Sequence, residues 1–293
     1  MSAQQPVLEL DRLREQLQGL GLLHAAEALD EEIAEAVRKE RPGHERVQRL
    51  VETETRQRDE RRVRTGLRLS NLPGGMTMGN FDFGFQPGID RSRAETLATC
   101  AFVREHTNLL LQGPPGVGKT HLAVALGVKA IEQGFGVAFY RLEDLLHKMR
   151  KDATTPPAKL RRKKYFSVSY LVVDEVGFEA MDASEAALFF RLISDRYGRA
   201  STAITPNKSV KEWPGVFAGD QAMTAAILDR LLHRCVVFNI RGRSNRLQDL
   251  EKLLPSTHPF DSPGRPWPPR GIDSTTHQPS PSLLLRCINL PVR

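Results

Sequence analysis

The segment Gly113-Pro-Pro-Gly-Val-Gly-Lys-Thr120 constrains this chain more than any other stretch. It fits G-x-x-x-x-G-K-[ST], with an apolar run at 109–111 before it and a helix-forming run from His121 to Ala130 after it. That context of strand, glycine loop and helix is the one the pattern requires. Backbone freed of side chains can curl so that successive N–H groups face one anion, and the helix that follows adds the partial positive charge of its N-terminus. On this reading Gly113, Pro114, Pro115, Gly116, Val117, Gly118, Lys119, Thr120 and His121 surround the phosphates of ATP. Lys119 reaches the β- and γ-phosphates, and the Thr120 hydroxyl takes one position on Mg²⁺.

A second motif follows at the distance expected of a phosphate-loop sheet. The apolar run Tyr170-Leu-Val-Val173 delivers Asp174 and Glu175 to a strand end, where ligands bind in open α/β sheets. Asp174 is suited to the Mg²⁺ shell and Glu175 to drawing a proton from water, which predicts ATP hydrolysis rather than storage. One helix later the run 202–205 ends in Pro206 and Asn207. Asn207 is either a turn residue or the amide that orients the attacking water. Arg230 and Arg246 are either surface salt-bridge arginines or guanidiniums that stabilise phosphate charge.

Around these motifs the hydrophobic pattern alternates between strand and helix: strands at 109–111, 137–140, 171–173 and 202–205, with helices to about Gln133, between the second and third of these strands, and over 183–197. Repeated β-α-β order predicts an α/β fold with a doubly wound parallel sheet. Upstream, Leu10, Leu13, Leu17 and Leu20, then Ala25, Leu29, Ile33 and Val37, step by three and four. They predict two amphipathic helices broken near Gly19 and Gly21. A third, polar helix after Pro42 and Gly43 ends in Arg56, Arg58, Arg61, Arg62, Arg64 and Arg68. The expected organisation is a small N-terminal helical domain (1–68), the ATPase domain (69–254) and a tail (255–293). Residues 71–88 are too rich in glycine and proline for a helix or core strand and read as a linker lying against the ATPase domain. The tail, punctuated by prolines from Pro255 to Pro291, reads as disordered.

Charge and cysteine content narrow the setting. A net charge of +7 draws the chain towards polyanions. Arg56, Arg61, Arg62 and Arg64, with the run Lys159, Arg161, Arg162, Lys163 and Lys164, are the candidate contacts to duplex DNA. No apolar run approaches the roughly 20 residues that cross a bilayer, so no membrane partner is expected. The beginning of the chain lacks the pattern of a secretory signal, and three cysteines without metal-ligand spacing suit a reducing cytoplasm.

Taken together, Phe81-Asp-Phe83, the loop 113–120 with His121-Leu-Ala, Val173-Asp-Glu-Val-Gly177, Leu188-Phe-Phe-Arg-Leu-Ile-Ser194, Arg196-Tyr197, Glu212-Trp213 and Ile227-Leu-Asp-Arg-Leu-Leu-His233 resemble the IstB-like ATP-binding family over roughly residues 8–250. The resemblance implies an AAA+ P-loop ATPase that assists an insertion-sequence transposase, similar to the helicase loader DnaC and the initiator DnaA. It also implies a homo-oligomer in the ATP state, assembled on DNA. Carried onto this sequence, it makes Lys119 and Thr120 Walker A, and Asp174 and Glu175 Walker B. Asn207 becomes sensor I, Arg230 an arginine finger acting on a neighbouring subunit, and Arg246 sensor II. The chain departs from the pattern at Pro206, Arg243 and Asn245, where the family commonly has Ser, an acid and Tyr. The alternative with the same fold is a DnaC-like loader whose partner is a replicative helicase. A small-molecule kinase has little use for Glu175 beside Asp174, and a non-catalytic nucleotide-gated scaffold follows if Pro206 misplaces Asn207.

Overall fold

A computed structural model describes residues 5–240 together with 242 and 244. Three helices come first: α1 (Gln5–Gly19), α2 (Leu23–Arg38) and α3 (Gly43–Ser70). After α4 (Arg91–Ala98) and α5 (Ala101–Arg104) the chain alternates through β1 (Asn108–Gln112), α6 (Lys119–Glu132), β2 (Val137–Arg141) and α7 (Leu142–Lys151). The short helices α8 (Pro157–Leu160) and α9 (Lys164–Ser167) precede β3 (Tyr170–Val176). Then come α10 (Ala183–Arg196), β4 (Ser201–Pro206), α11 (Trp213–Val216), α12 (Gln221–Leu232) and β5 (Cys235–Asn239).

Every strand pairing is parallel, in the order β2-β3-β4-β1-β5. Side chains alternate across the sheet, so neighbours along a strand enter different layers. Leu110, Leu171, Val173 and Ile204 join the layer completed by α7, α10, α11 and α12. Leu109, Leu111, Tyr170, Val172 and Ala203 join the layer built on α4, α5 and α6. Burial on both faces is why these strands read as continuous apolar runs rather than alternating ones. Truncating a fully buried member such as Leu171 to Ala is expected to cost about 2–5 kcal/mol.

The sequence-predicted strands and helices are present with boundaries shifted by a few residues, and the break between α1 and α2 falls at the positive-φ Gly21. Unanticipated are α4, α5, α8, α9, α11, α12 and the edge strand β5, whose Cys235, Val236 and Val237 are only partly buried. Helix α3 continues to Ser70 and stops at Asn71 in the left-handed conformation. Its second half lies on the layer built on α4, α5 and α6: Gly66 packs directly on Ile131, while Val63 and Leu67 join the core there. Segment 71–88 is packed rather than free, with Phe81 and Gln86 buried. No helix among the described residues is long and apolar enough to cross a membrane.

Within the N-terminal helices, α2 buries Ala25, Ala26, Leu29 and Ala36. Its N-terminus has no side-chain cap of its own. Glu54 of α3 performs that task, accepting hydrogen bonds from the backbone N–H of His24 (2.8 Å) and Ala25 (3.0 Å) while Arg58 Nε donates to its other oxygen at 2.6 Å. Burial alone would raise the Glu54 pKa, but the N–H groups and the guanidinium outweigh it and hold it below the ordinary carboxylate value.

Candidate nucleotide site

The loop between β1 and α6 has backbone that only glycine accepts at two points. Gly113 passes so close to the carbonyl oxygen of Ile240, and Gly116 (φ +80°) so close to the Ser244 side chain, that a Cβ at either position would overlap its neighbour. Gly118, also at positive φ, is the N-cap of α6, so the first turn of that helix turns its amides towards the loop. Lys119 is buried, and its Nζ donates to the carbonyl oxygens of Gly113 (2.6 Å) and Pro114 (3.0 Å). Its charge thus stands at the mouth of the glycine cradle. Val117 is fully buried and pins the loop to the core, while Pro114 and Pro115 are both exposed. The His121 ring is turned the other way, with Nε2 3.0 Å from the Thr77 carbonyl oxygen and an edge contact to Phe81.

Because β4 lies between β1 and β3, the two acids arrive beside the loop only through the tertiary fold. Asp174 is buried and accepts a hydrogen bond from Thr120 Oγ1 at 2.8 Å, joining the two motifs. The same oxygen accepts from Thr205, its register partner on β4. Thr205 therefore belongs to the site although its sequence context reads only as strand; the cross-strand register that places it has no local signature. Glu175 is the bulged residue between the pairs Asp174↔Thr205 and Val176↔Pro206, and its φ of +62° is uncommon for a side chain of this kind. The bulge turns its carboxylate out of the sheet, towards Arg141 at the end of β2, with Nε 3.6 Å from Oε2.

Pro206 ends β4 without breaking it: the next amide, Asn207 N–H, donates to Val176 O at 2.9 Å. Asn207 is exposed and shares a cavity of about 410 Å³ with Gly113, Pro114 and Lys208. Arg230 lies elsewhere, on α12, with its guanidinium 4.8 Å over the Phe190 ring and Nη1 donating to Ala226 O. Arg246 lies outside the described residues.

Of the basic candidates, Arg56, Arg61 and Arg64 are exposed along α3. Arg62 is exposed too but is engaged by Asp59 at 3.1 Å and by the Glu132 carbonyl oxygen at 3.5 Å. Lys159, Arg161 and Arg162 are exposed on and after α8. Lys163 pairs with Asp152 at 2.7 Å, and Lys164 has its pKa lowered by burial and by Lys148.

These residues fit a magnesium nucleotide. The glycine loop leads into the N-terminus of α6 with Lys119 beside it, and the Thr120 hydroxyl and Asp174 carboxylate form a pair of hard oxygen donors. Among the described residues no group of three or more His, Cys, Asp or Glu is arranged for a metal, so other ligands would have to be phosphate and water.

Comparison with known proteins agrees with this geometry. The chain is 39% identical over 236 residues to the IS21 insertion-sequence putative ATP-binding protein of Pseudomonas aeruginosa, covering 80% of this chain and 89% of that protein. It is 37% identical over 201 residues to the IS5376 counterpart of Geobacillus stearothermophilus, covering 69% and 80%. The crystal structure of a DNA replication initiation factor shares the fold, with a TM-score of 0.50 and 19% identity over 63% of this chain and 55% of that chain. The parallel sheet with a glycine loop between β1 and α6 is that of a P-loop fold. With residues 15–252 matching the family model, the chain belongs to the IstB-like ATP-binding protein family.

Proposed function

We propose that this protein hydrolyses ATP with Mg²⁺ and acts as a DNA-binding helper of an insertion-sequence transposase, assembling as a homo-oligomer on DNA in the ATP state. The observation that carries the hydrolytic part is the Thr120–Asp174 hydrogen bond with Glu175 bulged beside it. Bound Mg²⁺ would neutralise charge developing on the phosphates. The chain's own residues do the rest: Lys119 holds the phosphates, Thr120 and Asp174 supply oxygens to the ion, and Glu175 takes the proton from water once it swings from Arg141. Asn207, from the mouth of the neighbouring cavity, orients that water.

Arg230 is held on α12 against Phe190, away from its own phosphate loop, which favours action on a neighbouring subunit. The helical module 1–68 offers the partner and DNA surface, and residues 69–254 form the ATPase module. Insertion-sequence relatives favour the transposase as partner over a replicative helicase. Steady-state ATP hydrolysis with and without duplex DNA tests the reading. Expected is a magnesium-dependent rate that rises with DNA and falls in Arg230→Ala, with partial recovery when that variant is mixed with Lys119→Ala subunits. A protein that binds ATP but never turns it over would leave a nucleotide-gated scaffold.

A further inference from the structure

At the edge of the sheet opposite the nucleotide, where β3 and β4 begin, a cavity of about 310 Å³ is lined by Arg161, Ser167, Ser169, Asp195, Arg196 and Arg199 among others. Its unusual member is Arg196, which is 2% exposed. The guanidinium donates from Nε to Thr202 Oγ1 (3.0 Å), from Nη1 to the carbonyl oxygens of Tyr165 (3.2 Å) and Val168 (3.0 Å), and from Nη2 to Ser201 O (2.6 Å). These acceptors are neutral. Burial lowers the Arg196 pKa to about 9 with no carboxylate offsetting it, so at neutral pH a full positive charge is held among dipoles alone. Arg161 and Arg199 are exposed and form no ion pair among the described residues. Asp195 opposes an anion, but three guanidiniums face that one carboxylate. The basic run 159–164 leads into the same wall through α9.

We propose that this cavity seats a backbone phosphate of nucleic acid, with Arg161 and Arg199 at its mouth and Arg196 supplying charge from below. The inference rests on the DNA-binding reading above and assigns that reading a seat. A phosphodiester carries the two free oxygens that planar guanidiniums match, and free inorganic phosphate shares that chemistry. The 7 residues of β3, at about 3.3 Å each, separate this seat from the nucleotide edge by roughly 20 Å, so both can be filled at once.

The test uses the full chain loaded with a non-hydrolysable ATP analogue, so that the phosphate loop is occupied. Arg161→Ser with Arg199→Ser changes two exposed positions, and its thermal melt checks that the fold survives. Binding of an oligothymidylate and of unrelated duplexes is measured over a range of salt, alongside the melting shift caused by inorganic phosphate. Expected is binding weaker by about tenfold, a log–log salt slope flatter by about 0.7–0.9 for each phosphate no longer neutralised, and disappearance of the phosphate-induced shift. Unchanged affinity and slope in the double variant would overturn the seat while leaving DNA binding intact. Failure of the unmodified protein to bind either nucleic acid would overturn the DNA reading itself. In that case, a phosphate shift abolished by the variant would make the cavity a free-anion site, and the absence of any shift would make it no anion site.

Discussion

Helices α3 and α6 lie against each other, Gly66 on Ile131, yet they are built in opposite ways. α6, 14 residues long, buries Lys119, every position from Leu122 to Gly127, and Ala130 and Ile131. α3, twice as long at 28 residues, buries only Glu54 and Ser70. A helix apolar on nearly every side is dictated by the core around it. One that is polar on nearly every side is left free to carry charge and partners. The nucleotide edge, governed by α6 and the strand ends, and the N-terminal helices, governed by α3, should therefore respond to substitution almost independently.

The largest effect expected at the nucleotide edge is that of Glu175→Gln. An amide cannot take a proton from water, so turnover should fall by about 10²–10⁴-fold while ATP affinity and the melting of the N-terminal helices stay unchanged. Single-turnover hydrolysis beside equilibrium binding separates the two, and hydrolysis at the unmodified rate would remove Glu175 from the chemistry. Next comes Lys119→Ala. Removing the ammonium group from the glycine cradle should weaken ATP by about 100-fold, the scale of one or two charge-assisted hydrogen bonds. A calorimetric titration reads it, and equal affinity would contradict the site.

On the other side of the comparison, Glu54→Gln should lower the melting temperature of the N-terminal helices by a few degrees and leave ATP affinity alone. A shift in both would mean that the two regions are coupled through α3. The Glu54 pKa is lowered in the folded chain, so its contribution is fully present above the unfolded value near 4.5 and is lost as pH falls through the lowered one. The variant should accordingly lose part of the acid dependence of stability relative to the parent. The smallest effect expected is that of Arg141→Ala. Its pair with Glu175 is largely exposed and worth at most about 1 kcal/mol. Releasing the carboxylate should raise turnover by no more than about fivefold. A fall in rate would show that Arg141 assists the chemistry instead of restraining Glu175.

Much of this was legible along the chain because the physics involved is local. A glycine loop between strand and helix carries its anion site within a few residues, and strands buried on both faces appear as apolar runs. Hence residues 113–120, Asp174, Glu175 and the alternation of elements could be read directly. β5 escaped notice because an edge strand is only partly buried, and α4, α5, α8, α9 and α11 because short helices leave little periodicity. Tertiary structure alone decided four things: that β4 inserts between β1 and β3, that Thr205 therefore shares Asp174 with Thr120, that Glu175 is bulged towards Arg141, and that Arg196 is buried beneath a basic cavity. Each depends on strand order and register, which bring together residues far apart in sequence. A local pattern specifies what a segment is, but which segments become neighbours is settled only when both faces of the sheet are covered.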